Sequence, residues 1–167
     1  IAKNQQLCRI DYEDVSQDLT QQQSIMEQAI KDSIDSYDAL IISDYGKGLI
    51  TAPFSTKIID LANQHNVPII IDPKGKDASK YTGATYLTPN INEFLGFTKI
   101  NAIKNEEQLQ SLAQQLISDN NIDTLILTRS EQGISVITDN QKLDFKTQAK
   151  EVIDIIGAGD TVIAVLG

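Results

Sequence analysis

The sequence contains no tryptophan, one cysteine and one histidine among its 167 residues. A single cysteine cannot form an intrachain disulfide, which indicates a reducing compartment, and we expect the protein to be cytoplasmic. Cys8 is interpreted as a small apolar side chain rather than as a reactive thiol. A single histidine excludes metal sites built from several histidines. Since His65 follows a helical pattern, we expect it on the surface or at a helix C-terminus.

Basic charge and long apolar runs are also scarce. The chain has 14 basic and 23 acidic residues, a net charge of −9. Because this charge repels nucleic acids and anionic lipids, we expect neither a nucleic acid nor a membrane as a partner. A small anionic ligand is still possible, since local backbone dipoles can hold one. No stretch approaches the roughly 18 apolar residues of a membrane span, and the first residues lack the pattern of a signal peptide.

The chain does have a regular alternation of short apolar runs and helical patterns. It is 41% hydrophobic but only 5% aromatic, so its core must consist mainly of Ile, Leu, Val and Ala. Apolar runs bounded by polar residues predict buried strands at 39–42, 67–71, 85–88 and 124–128. Strands that alternate with helices at this spacing predict one α/β domain with a mainly parallel sheet.

Helices are predicted from apolar residues that recur on one face. A helix around 22–34 is expected to turn Ile25, Ala29 and Ile30 inward. Asn105 followed by Gln108 resembles a capping box. Segments 134–138 and 141–146 flank a two-residue turn and predict a hairpin added to the sheet. Two further apolar faces predict one helix each: Phe54, Ile58, Leu61 and Ala62; Leu109, Leu112, Ala113, Leu116 and Ile117.

Polar side chains follow the predicted strands at the points where they end. In open α/β sheets, ligands bind beyond the carboxyl ends of the strands, so these side chains are candidate site residues. The simpler alternative is that every strand must end in a polar turn. That alternative explains less well why so many acids and amides converge on one edge: Asp44, Asp72, Asn90, Glu93 and Asp160.

The stretch "GAGD" at 157–160 combines two glycines with an acid at the start of a helical pattern. Glycines permit a close approach of the backbone to a ligand, and a helix N-terminus attracts anions. Asp160 has two interpretations: it caps the helix, or it is a general base beside a bound phosphate, ionised at pH 7 because of the helix dipole. A third glycine is missing, so a dinucleotide fingerprint is not supported, and no P-loop sequence occurs.

Six blocks of the chain together resemble one enzyme family, the ribokinase-like (PfkB) sugar kinases. They read, in order, "NQQLCRIDYED", "SDYGKGLI", "IIIDPKGKD", "YLTPNINEF", "LTRSEQG" and "VIDIIGAGDTVIAVLG". Within this family they are most similar to the kinase domains of bacterial heptose 7-phosphate kinases that also synthesise ADP-heptose. The resemblance implies a ribokinase-like three-layer α/β sandwich with a mainly parallel sheet. It also implies that residues 16–167 are a partial kinase core of this fold, and that residues 1–15 are a remnant of a β lid or dimerisation element.

The reaction implied by the resemblance is ATP-dependent phosphorylation of the anomeric hydroxyl of D-glycero-β-D-manno-heptose 7-phosphate. The 1,7-bisphosphate product would serve ADP-heptose and lipopolysaccharide core synthesis. ATP and Mg²⁺ are the implied cofactors, and a homodimer through the β lid is the implied assembly. A kinase of another sugar or nucleoside, and a non-catalytic fragment that only binds nucleotide or acts as a scaffold, are the alternatives. The isolated 167-residue chain is expected to show little or no kinase activity.

The resemblance also assigns roles to residues. Asp160 would be the catalytic base, and the backbone of Gly157, Ala158 and Gly159 the anion hole, with Asp154 as the leading acid of the signature. An NxxE motif, which organises Mg²⁺ indirectly and the ATP phosphates, would comprise Asn90, Ile91, Asn92 and Glu93. Thr128 and Gly133 match a TxGxxG-type nucleotide motif in which Ser130 replaces the first glycine.

The substrate phosphate requires a cation, and the candidate substrate-binding residues are Asp44, Lys47, Asp72 and Lys74. Lys47 lies between two glycines and could reach that phosphate, or it could be a solvated loop lysine. Arg129 could meet ATP phosphates, or it could be an ordinary surface arginine.

Overall fold

The structure is a computed structural model that describes residues 18–146. Within these residues, six strands form one sheet in the order in which they occur along the chain. Their bounds are β1 Leu40–Ser43, β2 Ile69–Asp72, β3 Tyr86–Leu87, β4 Thr124–Thr128, β5 Ile134–Ile137 and β6 Lys142–Phe145.

Strands β1 to β4 run parallel, and β5 and β6 are antiparallel additions at one end of the sheet. In the parallel part Leu40 lies opposite Ile69, and Leu87 lies opposite Leu125. The hairpin closes where the Thr138 N–H donates to the Gln141 carbonyl at 2.9 Å. The predicted mainly parallel α/β sheet and its added hairpin are therefore confirmed.

In the described part of the chain, four α-helices connect or precede these strands: α1 Thr20–Ser33, α2 Ala52–Gln64, α3 Ile91–Thr98 and α4 Glu106–Asn120. His65 is the C-cap of α2, as expected. At α4, the Asn105 side chain accepts the Gln108 N–H at 2.8 Å, so the predicted N-cap is correct. The reciprocal bond differs: Gln108 accepts the N–H of Lys104, one residue earlier, at 2.7 Å. The predicted capping box at this helix is thus only half present.

One apolar cluster fills the space between the sheet and the helices, and it is mainly aliphatic, as the composition predicts. The strands contribute residues such as Ile69, Ile71 and Leu125, none of them exposed. Because side chains alternate along a strand, Ile70 and Ile126 are buried outside this cluster. The buried faces predicted for α2 and α4 are largely confirmed, since Ile58, Ala62, Leu109 and Ala113 are at most 1% exposed.

The inward face predicted for α1 is wrong for two of its three residues. Ile25 is 62% exposed and Ala29 is exposed, while Ile30 is half-buried against the core. Polar contacts with α2 and the segment before it set the rotation of α1. The Gln23 amide donates to the Leu49 carbonyl at 2.6 Å, and Glu27 pairs with Lys57 at 3.0 Å. The half-buried stripe therefore runs through Gln23, Glu27 and Ile30, which turns Ile25 and Ala29 to solvent.

Within residues 18–146, no helix has both the length and the apolar character that a membrane crossing requires.

Candidate active site at the carboxyl edge of the sheet

The carboxyl ends of the four parallel strands lie along one edge of the sheet. Backbone hydrogen bonds extend the pairing beyond the strands: the Asp44 N–H donates to the Asp72 carbonyl, and the Thr128 N–H to the Pro89 carbonyl, both at 3.0 Å. Asn90 and Thr128 form an isolated parallel bridge. The four predicted strand ends thus lie on one edge. The signature residues Asp154, Gly157, Ala158, Gly159 and Asp160 lie outside the described residues.

Asn90 and Glu93 cap the N-terminus of α3 reciprocally. The Asn90 side-chain oxygen accepts the N–H groups of Asn92 at 2.9 Å and Glu93 at 3.0 Å. In return, Glu93 Oε2 accepts the Asn90 N–H at 3.0 Å. Ile91 begins the helix. This capping box holds both polar side chains of the predicted NxxE motif at the positive end of α3, beside the end of β4.

Lys74 extends this group from the segment that follows β2. Its Nζ lies 3.0 Å from Glu93 Oε1, and the Glu93 side chain is only 11% exposed. The hydrogen bond and charge of Glu93 raise the pKa of Lys74, so the ammonium stays charged at neutral pH. Both oxygens of Glu93 therefore already accept a hydrogen bond, one from the backbone and one from a lysine.

The donor chemistry of Asn90 and Glu93 fits Mg²⁺ held mainly by water and phosphate oxygens. Mg²⁺ commonly keeps several waters and takes only one or two carboxylates from the protein. No group of three or more His, Cys, Asp or Glu side chains suited to a metal occurs among residues 18–146. One carboxylate and one amide oxygen therefore match an indirect role in metal binding rather than an all-protein cage.

Asp44 is buried beneath the loop that follows β1. Its side chain is 2% exposed, and Oδ1 accepts the Gly46 N–H at 2.7 Å. Oδ2 accepts the Tyr81 hydroxyl at 2.7 Å and forms a very short contact with Lys80 Nζ. The carboxylate therefore fixes the backbone of the loop after β1, and in this arrangement its oxygens are not exposed to a ligand.

Lys80 and Tyr81 were missed by the sequence predictions. They lie in a short 3₁₀ helix, Ala78–Tyr81, where no periodic pattern distinguishes a buried residue from an exposed one. Yet Tyr81 is completely buried, and Lys80 Nζ lies 5.3 Å from the centre of its ring. Their contacts depend on Asp44, more than 30 residues away, so no local signal could have found them.

Lys47 lies exposed in the loop after Asp44, and this loop packs against Lys74. Gly46 adopts a left-handed φ of +68°, and a Cβ atom there would lie 3.2 Å from Lys74 Cγ. A side chain at Gly46 would therefore be both strained and crowded. The structure thus brings Lys47, Lys74 and Asp44 of the predicted substrate group together in neighbouring loops, and Asp72 lies at the end of β2 between them.

Thr128 and Gly133 flank a tight loop that leaves β4 and returns as β5. The Arg129 N–H donates to the Gly133 carbonyl at 2.8 Å, and the Gly133 N–H to the Ser130 carbonyl at 3.0 Å. Ser130 adopts a left-handed φ of 52°, the conformation that favours the glycine of the TxGxxG-type motif. The replacement of that glycine by serine is thus compatible with the loop, and Thr128 and Gly133 lie at its two ends.

Arg129 belongs to an ion cluster beside this loop. Its guanidinium donates to both oxygens of Glu106 at the start of α4, and Nη1 also donates to Ser135 at 3.1 Å. Lys142 Nζ lies 2.7 Å from both Glu106 Oε2 and Asp144 Oδ2. The side chains of Arg129 and Lys142 are each 9% exposed. Arg129 therefore joins the hairpin to α4 rather than lying free on the surface.

Because of this ion cluster, we expect the free energy of unfolding to fall as the pH becomes acidic. Hydrogen bonds from Arg129 and Lys142 lower the pKa of Glu106, and hydrogen bonds from Lys142 and Ser135 lower that of Asp144. When folding lowers the pKa of a carboxyl group, the ionised group stabilises the fold at pH values above its unfolded pKa. This contribution to the unfolding free energy is lost as the pH falls through the folded pKa.

We expect Glu106→Gln to flatten the decline in the unfolding free energy below about pH 5. Urea unfolding between pH 3 and pH 7 measures this, with exposed Glu107→Gln as the matched control; equal acid sensitivity of wild type and Glu106→Gln would contradict it.

Known proteins share the sequence and the fold of this chain. The family model described as "pfkB family carbohydrate kinase" matches residues 4–166. The chain is 41% identical over 167 residues to the bifunctional protein HldE of Pasteurella multocida, and 42% identical to that of Salmonella paratyphi B. Each alignment covers 99% of this chain and 34% of the relative, so the chain spans about a third of the length of these proteins.

Solved structures share the fold at low sequence identity. A putative phosphofructokinase from Staphylococcus aureus has a TM-score of 0.72 at 16% identity, over 87% of this chain and 47% of its own. Arabidopsis thaliana ribokinase complexed with ribose and ATP has a TM-score of 0.68 at 17% identity, over 81% and 44%. The expected ribokinase-like α/β fold is confirmed by these similarities.

Proposed function

Because the chain belongs to the PfkB family of carbohydrate kinases, we propose that it is the kinase part of an enzyme of heptose metabolism. The reaction proposed is transfer of the γ-phosphoryl group of ATP to the anomeric hydroxyl of D-glycero-β-D-manno-heptose 7-phosphate. The product would enter ADP-heptose and lipopolysaccharide core synthesis. The observation that carries this proposal is the 41–42% identity to HldE proteins along the whole chain.

The proposed chemistry is positioning and charge stabilisation, with a base but no covalent intermediate. Asp160 takes the proton of the attacking hydroxyl. The backbone N–H groups of Gly157, Ala158 and Gly159 stabilise the negative charge that develops on the transferring group. When bound, Mg²⁺ neutralises charge on the ATP phosphates. These four residues lie outside the described part, so their roles are proposed from the signature "GAGD".

The described edge of the sheet supports the binding roles in this proposal. Asn90 and Glu93 are held together at the N-terminus of α3 by their capping box. Thr128 lies beside them, and the loop to Gly133 is assigned to the nucleotide. Lys47 and Lys74 lie in adjoining loops on the side of β1 and β2, and we assign them to the phosphate already present on the sugar. The two substrates would thus occupy neighbouring segments of one edge.

A substrate panel assayed with the full-length gene product tests this function. The panel contains heptose 7-phosphate, fructose 6-phosphate, ribose and a nucleoside, each with Mg-ATP and a coupled assay of ADP release. Preferred turnover of heptose 7-phosphate is expected, with a new anomeric phosphate in the ³¹P NMR spectrum. Preferred turnover of another member would overturn the heptose assignment, and ATP binding without any turnover would favour a non-catalytic role. The 167-residue chain alone is expected to give little or no turnover.

A further inference from the structure

We propose that Tyr81 is a positioning residue that sets the relative placement of the two lysine-bearing loops at the edge of the sheet. This inference rests on the proposed function, since the loops are assigned there to the phosphate of the sugar. It adds a residue that carries no charge and lies below the surface. The argument depends on three observations: the bonds of the Tyr81 hydroxyl, the contact between the loops, and the link from Lys74 to α3.

The hydroxyl of Tyr81 bonds to both loops at once. It donates to Asp44 Oδ2 at 2.7 Å, and it accepts the backbone N–H of Lys74 at 2.9 Å. Tyr81 is completely buried, and burial raises the pKa of its phenol, so the hydroxyl keeps its proton and remains a donor. A single buried oxygen therefore joins the loop after β1 to the segment after β2.

The loop after β1 and the segment after β2 also contact each other directly. Asp44 Oδ1 accepts the Gly46 N–H, which closes the turn that presents Lys47. Gly46 lies against the side chain of Lys74, with only 3.2 Å between the position of a Cβ atom and Lys74 Cγ. A shift of Asp44 or of the Lys74 backbone would therefore change the spacing between the ammonium groups of Lys47 and Lys74.

Lys74 is also attached to α3 through its side chain, since Nζ lies 3.0 Å from Glu93 Oε1. Further along α3, a Cβ atom at Gly96 would lie 3.3 Å from Lys76 Cγ and 3.6 Å from the Gly75 carbonyl oxygen. The segment after β2 is therefore confined by α3, and the loop after β1 is located relative to it through Tyr81. Removing the hydroxyl should disturb the sugar side of the edge and leave the capping box of Asn90 and Glu93 intact.

The test is Tyr81→Phe in the full-length gene product, because this change removes one oxygen and keeps the ring in the core. We expect KM for heptose 7-phosphate to rise about tenfold, since a hydrogen bond to a charged group is lost. KM for ATP should stay within about twofold, and so should KM for heptose without its 7-phosphate. The last comparison separates positioning of the phosphate-binding loops from general damage to the fold, which would affect all three values.

Tyr86→Phe is the matched control, since the Tyr86 hydroxyl makes no hydrogen bond within residues 18–146 and lies in β3. It should change none of these constants. Equal rises in KM for both forms of heptose, or for ATP as well, would overturn the proposal and leave Tyr81 with a packing role.

A titration with inorganic phosphate tests the positioning role of Tyr81 without any turnover. In this titration, the amide NMR shifts of Lys47 and Gly48 report binding to the full-length gene product. We expect the affinity of Tyr81→Phe for phosphate to be about tenfold below that of wild type. Equal affinities would overturn the positioning role even if heptose 7-phosphate is the substrate. A weakened affinity with no heptose kinase activity in the wild type would instead reject only the proposed substrate.

Discussion

Replacing Asp160 by asparagine is expected to lower kcat by about 10²–10⁴-fold in the full-length gene product, with little change in ATP affinity. The two interpretations of this residue make opposite predictions. Asparagine caps a helix about as well as aspartate does, so a residue that only caps would tolerate the change. Asparagine cannot accept the proton of the attacking hydroxyl, so a general base would not. The measurement is kcat with heptose 7-phosphate, together with calorimetric titration of a non-hydrolysable ATP analogue.

Asp119→Asn is the control for this variant, because it makes the same chemical change at an exposed position near the end of α4. It should leave kcat unchanged. An Asp160→Asn enzyme with kcat within about twofold of wild type would assign Asp160 to capping and remove the base from the proposed reaction.

Replacing Lys80 by methionine is expected to lower the free energy of unfolding by about 3 kcal/mol, because it leaves the Asp44 carboxylate buried without a cation. The side chains of Asp44 and Lys80 are 2% and 19% exposed, so little water can replace the ammonium. Methionine retains most of the length and apolar contact of lysine, which limits the change to the charge. Urea unfolding followed by far-UV circular dichroism measures the loss.

Two companion variants identify the cause of that loss. In the pair of Lys57 with Glu27, the two side chains are 62% and 37% exposed, respectively. Lys57→Met should therefore lower the free energy of unfolding by less than about 1 kcal/mol. The double variant Lys80→Met with Asp44→Asn removes both charges and should recover part of the loss. A loss for Lys80→Met no greater than that for Lys57→Met would show that the Asp44–Lys80 pair behaves as a surface pair.

The sheet was predictable from the sequence because its signals are local. Buried parallel strands read as short runs of Ile and Leu, so β1, β2 and β4 were found within two residues of their bounds. The hairpin was indicated by the two-residue turn between its strands. The rule that parallel strands share one carboxyl edge predicted that Asp44, Asn90 and Glu93 lie on the same edge of the sheet, as they do.

The failures occurred where distant contacts decide the outcome. The rotation of α1 depends on hydrogen bonds from Gln23 to the segment before α2, which the apolar pattern of α1 does not contain. Lys80 and Tyr81 were missed because their partner is Asp44, on another strand. The buried Asp44 carboxylate accepts hydrogen bonds from three donors, which the sequence did not indicate, and its role at the substrate stays a prediction. Burial of a carboxylate is a property of the assembled site, and no residue type or spacing reveals it.

The lysines of the carboxyl edge change how the net charge of −9 should be understood. Four lysines balance four acids in the last residue of β2, in the segments that follow β1 and β2, and at Glu93. The lysines are Lys47, Lys74, Lys76 and Lys80, and the acids are Asp44, Asp72, Asp77 and Glu93. Within residues 18–146, the acidic excess therefore lies outside this group. An anion that approaches these segments meets charges that balance one another, so it is repelled less there than by the acidic remainder of the described residues. Added salt screens that repulsion, so we expect the rate of association to depend on ionic strength.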